Sequence, residues 1–454
     1  MSTPLNSLFK RRGIVLLLLF LLMRIVFAGI TISTPDGGLT LDSPSYLDLS
    51  AAIRYQQTYH LQGQAEDLVR PPGYPLLLTI FQSSQGPYLE RVILVQLLLT
   101  SILSLLILLM FTKLGYPSAG LVAGWLIAIS PNIVLWSLTI MSESLFTLLL
   151  VVSFVLLVGY LRTGLRSQLL LAGLAIGMAT LTRPIGLIVF ILWIILLVTI
   201  QWRLQTEKKS WAILGIFVIG GCIFILPWML RNAVVHQQFT VSNVGEHTIE
   251  SFNFAVIVSE AEGISRSDAA TELNKRGGLS EQFLWVLQEY PEEFIEGQIA
   301  GVRRVVMGEE MSRWARVTGQ ETWDGLGIFR YLRLLDVRQA FESLRHNFRS
   351  VPNILMFFVY LTGIFHTLAL MALGITGLRL NWTTDPLRSS LVLISALTTA
   401  TLILSTGAAG QARFRVPAEP FIAVLAGFGW LNLKSWWEGR KTPERIEEPV
   451  GNGN

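Results

Sequence analysis

Charge is what this chain has least of. Only 15% of its 454 residues are Asp, Glu, Lys or Arg, while 52% are hydrophobic; a soluble protein carries about 25% charged residues. That scarcity excludes an ordinary water-soluble domain and points to a polytopic membrane protein. Cysteine is nearly absent. Cys222 is the only one and lies inside an apolar run, so no intramolecular disulfide can form. The five histidines (His60, His236, His247, His346 and His366) are scattered, and their spacing gives no metal-ligand cluster. A phosphate loop of the form G-x-x-x-x-G-K followed by Ser or Thr is missing, which argues against ATP-driven work. The net charge of +4 is modest, and basic loops on one side of a membrane account for it without nucleic acid.

What the chain has in quantity is long apolar runs. Ten of them, at roughly 13–33, 90–112, 117–136, 141–161, 167–182, 184–201, 210–229, 352–377, 388–407 and 417–433, approach the ~20 residues that a helix needs to cross a bilayer. The runs at 167–182 and 184–201 are short and part at Arg183-Pro184, where proline disfavours helix at the preceding residue. Lys10-Arg11-Arg12 precede the first run, which reads as a retained helix rather than a cleaved signal. With the N-terminus inside, the inner ends carry Lys113, Arg162, Arg166, Arg203, Lys208, Lys209, Arg379, Arg388, Lys434, Arg440, Lys441 and Arg445, as the positive-inside rule asks. Two long segments, 34–89 and 231–351, then fall outside. Within the second, Phe283, Leu284, Val286 and Leu287, then Phe294, Ile295, Ile299 and Val302, form apolar stripes at helical spacing. Those stripes suit either the membrane interface or packing against the spans. The expectation is one all-α polytopic membrane domain over 1–433, with about ten transmembrane helices, two long extracytoplasmic loops, and a cytoplasmic tail over 434–454.

Threaded this way, Asp42, Arg70, Glu143, Arg183, Arg231 and Arg413 all fall at one face. Each also has a plain structural reading. Asp42 precedes Ser43-Pro44, a helix-cap pattern, or it is a carboxylate at a cavity mouth able to take a proton. Arg70 opens Arg70-Pro71-Pro72-Gly73-Tyr74-Pro75; the turn needs Pro and Gly but not Arg, and a fixed guanidinium suits phosphate. Glu143, in Ser142-Glu143-Ser144, favours a helix N-terminus, and Arg183 needs a partner that Glu143 can be. Arg231 closes Pro227-Trp228-Met229-Leu230-Arg231, where it is either a flank or a site residue. Arg24 stands inside the first run, where an arginine is paired or functional. Arg413 and Arg415 flank Phe414 on the outer side, against the positive-inside rule, which favours anion binding over anchoring.

The ordered set formed by an Asp after the first span, RPPGYP, SESLF, TLTRPIGL, LPWMLRN and ARFRVPAEPF resembles bacterial GT-C-fold membrane glycosyltransferases. The nearest group is the dolichyl-phosphate-mannose–protein mannosyltransferase-like set, which includes the lipid A aminoarabinose transferases. The resemblance runs from about Gly13 to Trp430. It implies a polyprenyl-phosphate-linked sugar as donor, transfer with inversion on the extracytoplasmic face, and a bacterial inner-membrane location. The acceptor would be a hydroxyl of a lipid, protein or envelope glycan. Asp42 matches the base of the family, with Arg70, Arg183, Arg231, Arg413 and Arg415 as donor-phosphate ligands and Glu143, Tyr74 and Arg24 in support. Many relatives carry a second acid after that Asp, and here the position is Ser43. No cofactor is therefore required by the pattern, and a divalent cation stays open. A lipid-linked saccharide flippase and a non-catalytic membrane scaffold are the competing readings.

Overall fold

The computed structural model describes residues 35–60, 66–203, 211–308, 310–319, 351–380, 382–383 and 385–441, with isolated positions between 15 and 29 and between 338 and 342. Most of the expected first span (13–33), part of the 231–351 loop and the tail beyond Lys441 therefore lie outside the described residues.

Nearly everything is helical. The described β structure is one antiparallel pairing of Gln82–Ser83 with Gly86–Pro87. Six helices are long and apolar enough to cross a membrane: Leu89–Lys113, Glu143–Thr163, Ile185–Arg203, Trp211–His236, Phe357–Gly377 and Pro386–Leu404. They fall on six of the ten expected runs, so the chain is an all-α polytopic membrane protein. Trp211–His236 continues beyond the expected end of its run, and Glu419–Lys441 extends well past residue 433, so the anticipated tail begins as helix.

The expected 117–136 span is corrected to a broken one. Pro117–Ala128 and Pro131–Ser137 are bent by 52° at the Ile129-Ser130 break. Pro131 favours it, since proline disfavours helix at the residue before it, and Ser130 caps the second piece by accepting from the Ile133 amide at 3.1 Å. The carbonyls freed at the break must find donors in a site without water. Arg24 supplies two, with Nε to Ala128 O at 2.9 Å and Nη2 to Ile127 O at 2.6 Å, and His366 Nε2 donates to Leu126 O at 2.7 Å. Arg24 is thus a helix-end cap for its neighbour rather than part of a ligand site.

Arg166–Thr180 is only 15 residues long, about 22 Å at 1.5 Å per residue. It packs flat on Trp211–His236 through small residues, where a Cβ added to Gly173 would lie 2.3 Å from Phe217 O. Close backbone approach of this kind is how helices associate where lipid removes the hydrophobic drive.

Successive helices alternate in direction, which sorts their ends. Exposed Trp202, Trp211, Trp436 and Trp437 collect with Lys113, Arg162 and Arg203 at one end, as interfacial aromatics and cations do. Glu143, Arg183, Arg231 and Arg413 sit at the opposite ends of their helices. The 35–88 segment docks there. Ile140 N donates to Gly38 O at 2.9 Å and Ser43 Oγ to Ile140 O at 2.8 Å, fixing the helix Ser43–Ala51 over the bundle.

Candidate active site

Asp42 holds the N-cap position of Ser43–Ala51 but makes no cap hydrogen bond. Its carboxylate turns to two guanidiniums instead. Arg70 Nη2 donates to Oδ1 at 2.8 Å and Arg413 Nη1 to Oδ2 at 3.2 Å. Burial works to raise this carboxyl, but Arg70 and Arg413 outweigh it and hold it below its ordinary value, because an adjacent cation favours the charged form. The neighbouring Ser43 faces away, bonded to Ile140 O.

Arg70 is itself held. Its Nε donates to Ser45 Oγ at 3.1 Å, its carbonyl accepts from the Tyr59 hydroxyl at 2.8 Å, and it stacks 4.9 Å from the centre of the Tyr46 ring. The RPPGYP turn rests directly on TLTRPIGL, where Gly73 N donates to Leu181 O at 2.7 Å. A Cβ on Gly73 would lie 2.7 Å from Thr182 Oγ1 and 2.8 Å from Leu181 O, so only glycine permits the contact. One docking event therefore sets both Arg70 and Arg183. Arg183 pairs with buried Glu143 (Nη1···Oε1 2.5 Å), the partnership expected from charge alone, and lies 5.8 Å from the centre of the Phe414 ring, with Arg413 at 4.7 Å.

Asp42, Arg70, Arg183 and Arg413 line a cavity of about 740 Å3, together with apolar Ile185, Ile188, Leu402 and Phe414. The volume is that of a small-ligand site. Arg70 and Arg413 hold Asp42, Arg183 holds Glu143, and Glu310 lies close to Arg413, so acids fix the arginines at the cavity in place.

Four expected site residues lie elsewhere. Arg231 binds buried Asp67 (Nη2 to Oδ2, 2.7 Å) and Tyr59 O at 2.6 Å. Arg415 is buried, with Nε on Glu419 Oε1 at 2.9 Å and Nη1 on Val306 O at 2.5 Å, so its donors are spent inside the fold. Tyr74 donates to Gln96 Oε1 at 2.6 Å in the core, which makes it a support for the turn. Arg24 caps the broken helix as described.

Three features were not singled out from sequence. Asp67 Oδ2 collects Arg231, His236 Nε2 at 3.0 Å and His60 Nδ1 at 3.3 Å; burial opposes the charged carboxyl, and these partners hold it below its ordinary value. Through Tyr59 this cluster braces Arg70. Glu310 is pushed up by burial, with Arg413 and the Ala412 amide opposing. Asn243 lines the cavity. The acid pair Glu309-Glu310 was the only visible signal among them. Among the described residues no group of three or more His, Cys, Asp or Glu side chains is placed to hold a metal ion.

Comparison with known proteins agrees with the motif reading in part of the chain. Residues 69–229 match the family described as Dolichyl-phosphate-mannose-protein mannosyltransferase. RPPGYP, SESLF and TLTRPIGL lie inside that segment, and LPWMLRN begins in it; the resemblance is borne out there, while Asp42 and Arg413 fall outside. A comparison with curated proteins finds no match. Among solved structures, the apo oligosaccharyltransferase of Archaeoglobus fulgidus aligns at 15% identity and a TM-score of 0.46, covering 92% of this chain and 51% of that one. The same organism's AglB, in complex with an inhibitory peptide and a dolichol-phosphate, aligns at 15% and 0.45, covering 96% and 52%. ArnT from Cupriavidus metallidurans, bound to undecaprenyl phosphate, aligns at 15% and 0.40, covering 93% and 79%. The chain spans about half the length of the two oligosaccharyltransferase chains.

Proposed function

We propose that this chain is a membrane glycosyltransferase that moves a sugar from a polyprenyl-phosphate donor to an acceptor hydroxyl, with Asp42 as the base. The observation that carries the reading is the Asp42 carboxylate, held between Arg70 and Arg413 at a cavity lined by three arginines and an apolar wall. The mannosyltransferase match over 69–229 supports the reaction class.

The chemistry needs few groups. The acceptor oxygen attacks the anomeric carbon from the face opposite the phosphate, giving inversion. Its proton passes to Asp42, and the bond between the anomeric carbon and the phosphate oxygen breaks with its electron pair on the leaving phosphate. Charge grows on that phosphate as the sugar departs, and arginines already in place stabilise it without reorganising. Each guanidinium has five donors, so Arg70 and Arg413 can keep Asp42 oriented while serving a phosphate oxygen. Arg183 is positioned by Glu143 to add a third. Ile185, Ile188 and Leu402 give the prenyl chain an apolar path into the bilayer.

In this reading the site faces the exterior of a bacterial inner membrane, because the Lys- and Arg-rich helix ends lie at the other side. The acceptor is a lipid, protein or envelope glycan, chosen by the 231–351 segment. The test uses the full chain in lipid with labelled undecaprenyl-phosphate sugars and a crude envelope fraction as acceptor. Release of sugar from one donor onto acceptor is expected. Movement of intact donor across the bilayer without release would instead assign a flippase.

A further inference from the structure

Resting on that reading, the geometry points to Asn243 as the residue that reads the donor sugar, and to a neutral sugar bearing free hydroxyls as its ligand. Ser242 Oγ donates to Val69 O at 2.6 Å and Asn243 N to Leu68 O at 3.4 Å. The 242–244 strip is thereby tied to the residues just before Arg70. Asn243, Val69 and Arg70 line the same cavity, so a group attached to a phosphate on Arg70 arrives beside Asn243.

Two polar atoms among the described lining residues are buried and lack a partner: Asn243 Oδ1 and Arg413 Nε. One is an acceptor and the other a donor. Buried polar atoms without partners are rare in folded proteins, and in a cavity they mark where a ligand's polar groups belong. Arg413 Nε suits an anionic oxygen, and Asn243 Oδ1 requires a donor such as a hydroxyl. Asn253, on the same wall, makes a useful contrast: its Oδ1 already accepts from Ala409 N at 3.2 Å.

Charge selects against an amino sugar. Asp42 is the one carboxylate among the described lining residues, and both its oxygens are held by arginines. An ammonium entering here would meet Arg70, Arg183 and Arg413, while the lining carboxylate is already held by two of them, and such like-charge placement is strongly unfavourable.

The experiment measures binding, without acceptor, to the full chain in nanodiscs. The probes are undecaprenyl phosphate, undecaprenyl-phosphate glucose or mannose, and an undecaprenyl-phosphate aminopentose. The wild type should bind a neutral-sugar donor more tightly than the bare carrier, and the aminopentose donor at least about tenfold more weakly. Asn243→Ala should lose roughly five- to tenfold on the neutral donor and nothing on the bare carrier, the size expected for one hydrogen bond. Asn243→Asp keeps an acceptor and adds a carboxylate, so it should move preference toward the aminopentose. Equal losses on bare and sugar-linked carriers, or no loss at all, would overturn the assignment. So would a wild type that binds the bare carrier but ignores the sugar. A wild type blind even to the bare carrier removes the donor reading, and this inference falls with it.

Discussion

Arg413 and Arg415 stand two residues apart in one motif and have opposite fates. Arg413 is 22% exposed at the cavity and bonded to a carboxylate that is itself 32% exposed. Arg415 and its partner Glu419 are 1% and 2% exposed. Glu419 is further satisfied by Asn132 Nδ2 at 3.0 Å and by the Ser130 hydroxyl, so that pair locks the last helix to the broken one. The tight turn Ala412–Arg415 throws side chains two apart onto different faces. The same pairing of arginine with acid therefore stands open to water and ligand at the cavity and forms a structural bolt where neither can enter.

Three substitutions separate the two. Asp42→Asn should lower sugar transfer by about 10²–10⁴-fold, the range for removing a general base, with little change in melting temperature. Glu419→Ala should do the reverse. Leaving the buried Arg415 charge without its acid costs about 3–5 kcal/mol, visible as a lower thermal or denaturant midpoint and poor membrane expression. Arg413→Ala should cost transfer about 10²-fold if it steadies the leaving phosphate but under about 1 kcal/mol of stability, because its ion pair is partly exposed. If Arg413→Ala unfolds the protein as Glu419→Ala does, the contrast is broken.

Smaller effects sharpen it. Gly73→Ala forces a Cβ against Leu181 O and Thr182 Oγ1, and overpacking of this kind costs about 1–3 kcal/mol. Because it shifts Arg70 and Arg183 together, kcat should fall more than the melting temperature suggests. The smallest effect is in pH. The folded Asp42 carboxyl lies below its ordinary value, so its contribution to stability is present above about pH 4, the unfolded value, and is lost as pH falls through the lower folded value. The small melting difference between wild type and Asp42→Asn should thus hold from neutral pH down to about 4 and shrink below it, as should the transfer rate.

Much of this was legible in the sequence, for definite reasons. Apolar runs such as 90–112 and 210–229 specify helices because only helices satisfy their backbone in lipid. The Glu143–Arg183 pair could be expected because a charge near the bilayer needs a partner. Depth along a helix was readable and rotation about it was not. Arg231 and Arg413 both sit at the site-side ends of spans, yet Arg231 turns to Asp67 while Arg413 turns to Asp42. Asn243 and Asp67 were silent because single polar residues in long loops gain meaning only from what folds against them. The break at Ser130-Pro131 did carry its signal, masked by the continuous apolar character of the run.

The most direct test compares wild type and Asp42→Asn, purified in lipid, for sugar release from undecaprenyl-phosphate donors, with melting recorded on the same samples. The account predicts that release collapses in the variant while the melting temperature is retained. Equal release by both proteins would contradict it, and Asp42 would then be no more than the head of its helix.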